Sequence, residues 1–160
     1  MKESRARSET RQIVRLLRFV WIGLFLLAMP FACAQTAGPN DSFEHGRRGN
    51  PTGWTLSGGV GEWEKEGHSG KRCISVTGDG KSSNYWSQPV KLAGAYRIEF
   101  WTKSSPDATG GNIVAGTNLC SVDFRHTTEW TRRSIVFKHS FTQRSLRLGQ
   151  WQVKGKVYFD

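Results

Sequence analysis

The amino-acid sequence predicts an all-β domain of two stacked sheets, and three observations lead there. Beyond the first 34 residues, apolar side chains alternate with polar ones instead of recurring at helical spacing. Short runs rich in β-branched and aromatic residues are separated by turn signals such as Gly78-Asp79-Gly80. Glycine is frequent, with 18 in 160 residues, and no helical pattern emerges after the leader.

Residues 1–34 have the layout of an export signal. Lys2, Arg5, Arg7, Arg11, Arg15 and Arg18 give a basic start, and an apolar run from Phe19 to Met29 follows. Pro30 breaks the run, and Ala32-Cys33-Ala34 places small residues two apart, which predicts cleavage before Gln35. The apolar run is shorter than the roughly 20 residues of a membrane-spanning helix. Two alternatives stay open: an uncleaved membrane anchor, and lipid attachment at Cys33. The expected location is outside the cytoplasm: secreted, periplasmic or on the cell surface.

Residues 35–41, with Gly38, Pro39 and Asn40, read as a linker, and residues 42–160 as one β-sandwich. Ten segments carry the strand pattern: Trp54–Ser57, Val60–Glu64, Cys73–Thr77, Tyr85–Val90, Tyr96–Lys103, Asn112–Ala115, Cys120–Phe124, Thr131–Lys138, Ser145–Leu148 and Lys156–Phe159. The last run reaches Asp160 in mid-pattern, which predicts a C-terminally truncated domain.

Strand side chains alternate between faces, so the period of two sorts them. Tyr96, Ile98 and Phe100 share a face, as do Ile74 with Val76, Ile135 with Phe137, Leu146 with Leu148, and Val157 with Phe159. These sets are expected to meet between two sheets about 10 Å apart. The opposite face carries Arg97, Glu99 and Trp101 on one strand and Trp130, Arg132 and Ser134 near another. Flat indoles edged by hydrogen-bonding groups suit a sugar, whose C–H face stacks on a ring while its hydroxyls reach sideways. Trp101 and Trp130 are therefore the leading binding candidates, with Arg97, Glu99 and Arg132 beside them. Tyr85 and Trp86 point to opposite faces; Trp86 is assigned to the core and Tyr85 to a groove edge. Trp54 reads as structural, Trp63 as cover for a sheet edge, and Trp151 as a loop residue after Gly149.

Charge and composition exclude more than they assign. Residues 1–34 hold six basic and two acidic residues, so the net charge of +10 falls to +6 once they are removed. Arg132, Arg133, Lys138, Arg144 and Arg147 lie near aromatics, but alternation splits Arg132 from Arg133, so no continuous stripe for nucleic acid forms. Glu62, Glu64 and Glu66 stand at spacing two, which predicts a solvated strand face. Catalytic carboxylates of a glycosidase must instead oppose each other across a cleft at ~5–9.5 Å. The four histidines lack zinc spacing. Cys73 and Cys120 remain after the leader is removed; they are disulfide candidates in an oxidising compartment, and otherwise two small buried hydrophobes.

Several stretches, in order, resemble a family 4/9-type carbohydrate-binding module. They are Asn40-Asp41-Ser42-Phe43-Glu44, Gly53-Trp54, Ser69-Gly70-Lys71-Arg72-Cys73-Ile74-Ser75-Val76, Trp86-Ser87-Gln88-Pro89-Val90, the run Tyr96–Lys103, Trp130-Thr131-Arg132 and Val157-Tyr158-Phe159-Asp160. The resemblance implies a galactose-binding-domain-like jelly roll with Asn40–Glu44 as its opening strand. It implies a structural calcium held by Glu44 and Asp160 with carbonyl oxygens near Ser42 and Lys71, a donor set that calcium accepts. It also implies a monomeric, non-catalytic module with a polysaccharide or oligosaccharide as partner. The competing expectation is a structural or adhesive spacer of a larger secreted protein.

Overall fold

The computed structural model describes residues 40–91, 94–118, 121–139 and 144–160. The leader, the linker as far as Pro39, and Cys120 lie outside the described residues. Twelve strands are described. A short hairpin, β1 (Gly46–Arg47) with β2 (Asn50–Pro51), precedes β3 (Thr55–Ser57), β4 (Val60–Glu64), β5 (Cys73–Asp79) and β6 (Ser83–Val90). Then come β7 (Gly94–Ser104), β8 (Asn112–Thr117), β9 (Ser121–Phe124), β10 (Thr131–His139), β11 (Arg144–Trp151) and β12 (Lys154–Phe159). One five-stranded sheet runs β10-β7-β12-β5-β4 and the other β3-β6-β11-β8-β9, with every described pair antiparallel.

All ten predicted segments are strands, because the alternation that defines them also fills the space between the sheets. Ile74, Val76, Val157 and Phe159 of the first sheet meet Trp86, Ile113, Leu146 and Leu148 of the second in one core. Trp86 is 1 % exposed, and its indole N–H donates to the Ser75 carbonyl at 2.8 Å. Trp54 is buried as expected, while Trp63 packs on the core rim and donates to the Phe43 carbonyl at 2.7 Å.

The sandwich interior is not wholly apolar. Asn84 of β6 donates through Nδ2 to the carbonyls of Val60 and Thr77 across the core, each at 2.9 Å. Gln150 of β11 donates to Asn84 Oδ1 at 2.6 Å and accepts the Val153 N–H at 2.6 Å. These two buried amides join the sheets at one end. Buried polar groups rarely persist unsatisfied, and both of these amides are bonded.

Three expectations about the chain's course are corrected. Asn40 is part of the folded domain, since its side chain bonds His45 and Thr52 and its carbonyl accepts the Trp54 indole N–H at 3.1 Å. Residues 40–44 are a turn leading into the hairpin, not an opening strand, and Phe43 takes φ +59° there. β11 extends to Trp151, past the glycine that reads as its end.

The acidic strand face is also not simply solvated. The Lys156 ammonium bonds Glu62 at 2.9 Å and Glu64 at 3.1 Å, and Glu64 also accepts the Ser75 hydroxyl at 2.7 Å. Burial alone would lower the Lys156 pKa, but the two carboxylates outweigh it and hold the group up to about 12. Glu66 lies beyond β4, where its carbonyl accepts the Cys73 thiol at 3.1 Å. Cys73 is thus a buried, free thiol among the described residues, which leave out Cys120. Burial, helped by Glu64 and Asp160, pushes it up to about 12, so it is protonated and inert at neutral pH.

Candidate functional site

The predicted residues fall on two outer faces that look away from each other. Trp101, Arg97, Glu99 and Arg132 occupy the outer face of the first sheet, where Arg132 pairs with Trp101 in the β10–β7 register. Tyr85 belongs to β6 of the second sheet. They do not form one site.

On the first sheet the indoles are already covered or partnered. The His68 ring stacks on Trp101 with centroids 3.8 Å apart and planes 21° from parallel. The same histidine meets the edge of Trp130 at 5.7 Å. Lys103 lies 4.9 Å from both the Trp130 and the Tyr158 ring centroids. Glu99 is bonded by Arg132 at 2.6 Å and lies 3.8 Å from Arg97, so all three charged candidates are engaged with one another. The expectation of open rings on this face is corrected for a physical reason. The alternation in β7 shows which way Trp101 points, but not that a loop folds over it.

That loop, residues 65–72, is tied down by the two carboxylates expected to hold calcium. Glu44 Oε1 accepts the amide N–H groups of Lys71 at 2.8 Å and Arg72 at 3.0 Å. Asp160 Oδ2 accepts the amides of His68 and Ser69, and Oδ1 accepts the Ser69 hydroxyl at 2.8 Å. Among the described residues neither carboxylate has a cationic partner, and Glu44 Oε2 has no donor. Carboxylate oxygen is a donor type calcium takes, but no group of three or more His, Cys, Asp or Glu that could hold a metal occurs among the described residues. Ser42 is exposed in the turn before Glu44.

An open groove of about 330 Å³ lies on the outer face of the second sheet. The strand register builds it in rows. One row runs Ser87, Arg147, Gly116, Ser121 across β6, β11, β8 and β9; the next runs Tyr85, Gly149, Val114, Asp123; the third places Trp151 between Ser83 and Asn112. Gly149 forms the floor beside Tyr85. A Cβ there would sit 2.3 Å from the Tyr85 Cβ and 2.4 Å from the Asn84 carbonyl oxygen, so only glycine lets β6 and β11 close with Tyr85 upright between them. Trp151 is 48 % exposed. The Arg147 guanidinium lies 4.7 Å from the Tyr85 ring centroid. Asp123 and Asn118 add an acceptor and an amide at the β8–β9 side. The site thus offers two aromatic surfaces over a glycine floor, edged by groups that donate and accept.

Solved structures share this architecture. A family 61 carbohydrate-binding module in complex with β-1,4-galactotriose gives a TM-score of 0.59 at 22% identity, over 79% of this chain and 94% of that one. The CBM22-1 xylan-binding domain from Paenibacillus barcinonensis Xyn10C gives 0.53 at 17%, over 70% and 84%. A family 4 module gives 0.50 at 15%, over 69% and 92%. The fold is the jelly roll of carbohydrate-binding modules. No family model and no curated protein matches the sequence. At these identities the likeness fixes the architecture of the module, and its ligand has to be argued from the groove.

Of the groove residues in this jelly roll, Tyr85 is the one the sequence assigns correctly in direction. Trp151 is missed as a groove residue because Gly149 reads as a strand end, and Arg147, inside the predicted strand, reads only as part of a basic stretch. The signal was present: Arg147, Gly149 and Trp151 continue the period of two opposite Leu146, Leu148 and Gln150. The basic residues separate as expected. Arg133 turns to the sandwich side, bonding Thr102 Oγ1 at 3.2 Å and the Arg125 carbonyl at 2.7 Å, while Arg147 lies on the other sheet.

Proposed function

We propose that this chain is a secreted, non-catalytic module that binds a polysaccharide in the groove between Tyr85 and Trp151. The observation that carries the reading is the pairing of two aromatic side chains with a glycine floor and a polar rim on an outward sheet face. A pyranose ring presents a C–H face to an aromatic ring and hydroxyls to its sides, and this lining meets both needs. The solved neighbours, one in complex with β-1,4-galactotriose and one a xylan-binding domain, support a polysaccharide as the ligand class. Such a module holds an appended or associated glycan-active protein near its substrate and raises effective concentration instead of doing chemistry.

Native electrophoresis in gels containing soluble plant and algal polysaccharides tests this. Retardation in at least one gel, with no sugar released, is the expected result. Free migration in every gel would leave a structural spacer domain.

The same reading includes a structural calcium held by Glu44 and Asp160 with carbonyl oxygens near Ser42 and Lys71. The ion would supply charge neutralisation and fasten the 65–72 loop to both ends of the domain. A chelator is then expected to lower the melting temperature and added calcium to restore it. A melting curve indifferent to both would mean that the amide hydrogen bonds hold the loop alone.

A further inference from the structure

We propose that the polysaccharide is acidic, and that Arg147 receives its anionic groups. This rests on the groove reading above. The common chemistry is a uronate carboxylate or a sulfate ester, either of which a guanidinium binds.

Three observations point to it. First, Arg147 is half-buried in the groove, and its Nε lies out of solvent with no hydrogen-bond acceptor. Leaving a buried donor unpaired costs roughly 1–3 kcal/mol, a cost that an acceptor on a ligand removes. Second, no carboxylate of the described residues forms an ion pair with Arg147, although the other sheet's Arg132 and Lys156 each have one. The nearest acid in the groove is Asp123. It stands two strands away and one row along, roughly 10 Å or more by strand spacing and rise. Third, the residues paired with Arg147 across the strands are small. Its neighbours across the strands are Gly116 and Ser87, and the Tyr85 ring holds it from one side. A planar guanidinium held against a ring matches the two oxygens of a carboxylate or sulfate. The net charge of +6 beyond the leader favours approach of a polyanion as well.

The test compares matched polymers: galactan with polygalacturonate, unsubstituted xylan with glucuronoxylan, and neutral galactan with sulfated galactan. The intact domain is expected to bind the acidic member of at least one pair about tenfold more tightly, the scale of a charge-assisted bond. Added salt should shrink that preference. Arg147→Gln should bring the acidic-to-neutral ratio to about one, and Arg147→Lys should retain part of it. Thermal melts confirm that both variants are folded. Which pair shows the preference separates carboxylate from sulfate. Equal affinity within every pair, or a ratio unchanged in Arg147→Gln, overturns the inference while leaving sugar binding intact. Failure to bind any of these polymers removes the groove reading itself.

Discussion

Trp151→Ala is expected to abolish retardation in polysaccharide gels, with affinity falling about 30-fold or more, the usual result when a central aromatic is truncated. Trp151 is 48 % exposed and sits at the end of β11, so removing its ring strips contact area from the ligand without opening the core. The melting temperature should therefore change little. Tyr85→Ala should weaken binding as well, but with a mixed cause, because its ring also supports the Arg147 guanidinium. Trp101→Ala makes the informative contrast. That indole is stacked under His68 on the other sheet, so its loss should loosen the 65–72 loop and lower stability while leaving gel retardation in place. Wild-type retardation of Trp151→Ala, or loss of retardation in a folded Trp101→Ala, would put the binding surface on the wrong sheet.

The second large effect is expected at Asn84. Its side-chain amide donates to two part-buried carbonyls of the facing sheet and accepts from the buried Gln150 amide. Asn84→Ala strips the part-buried Val60 and Thr77 carbonyls of a donor and the buried Gln150 amide of an acceptor. With roughly 1–3 kcal/mol for the buried Gln150 amide and about 1 kcal/mol for each part-buried carbonyl, the loss is about 2–5 kcal/mol, on the order of 10–15 °C in melting temperature for a domain of this size. Asn84→Asp should be at least as damaging, because a carboxylate turned toward the Val60 and Thr77 carbonyls offers no donor. Urea titration of both variants measures the change. A Asn84→Leu domain as stable as wild type would show that shape, not hydrogen bonding, is what position 84 supplies.

The strand framework was legible in the sequence for a clear reason. In a two-sheet sandwich the inner face must be apolar, and the period of two writes that requirement into β5, β7, β10 and β12. Val60–Glu64 was placed to the residue. Trp86 and Tyr85 were sorted correctly because adjacent strand residues cannot both face the core. What was not legible lies outside that periodicity. The loop over Trp101 is set by amide bonds to Glu44 and Asp160, which are 27 and 91 or more residues away from it in sequence. Trp151 was misplaced because glycine ordinarily weakens a strand, whereas Gly149 is there to let Tyr85 stand close. The Asn84–Gln150 pair could not be seen because an isolated polar residue on an inner face looks like a break in the pattern until its partner is known. Of the disulfide candidates only Cys73 is described, a buried thiol with the Glu66 carbonyl as its partner.

Backbone amide shifts, recorded as a bound polysaccharide fragment is titrated in, test the central claim most directly. The groove account predicts changes concentrated at Tyr85, Ser87, Arg147, Gly149, Trp151 and Asp123, with the Trp151 indole N–H among the largest. Changes centred instead on Trp101, Lys103, Trp130 and Arg132, with the Tyr85–Trp151 strip silent, would contradict it.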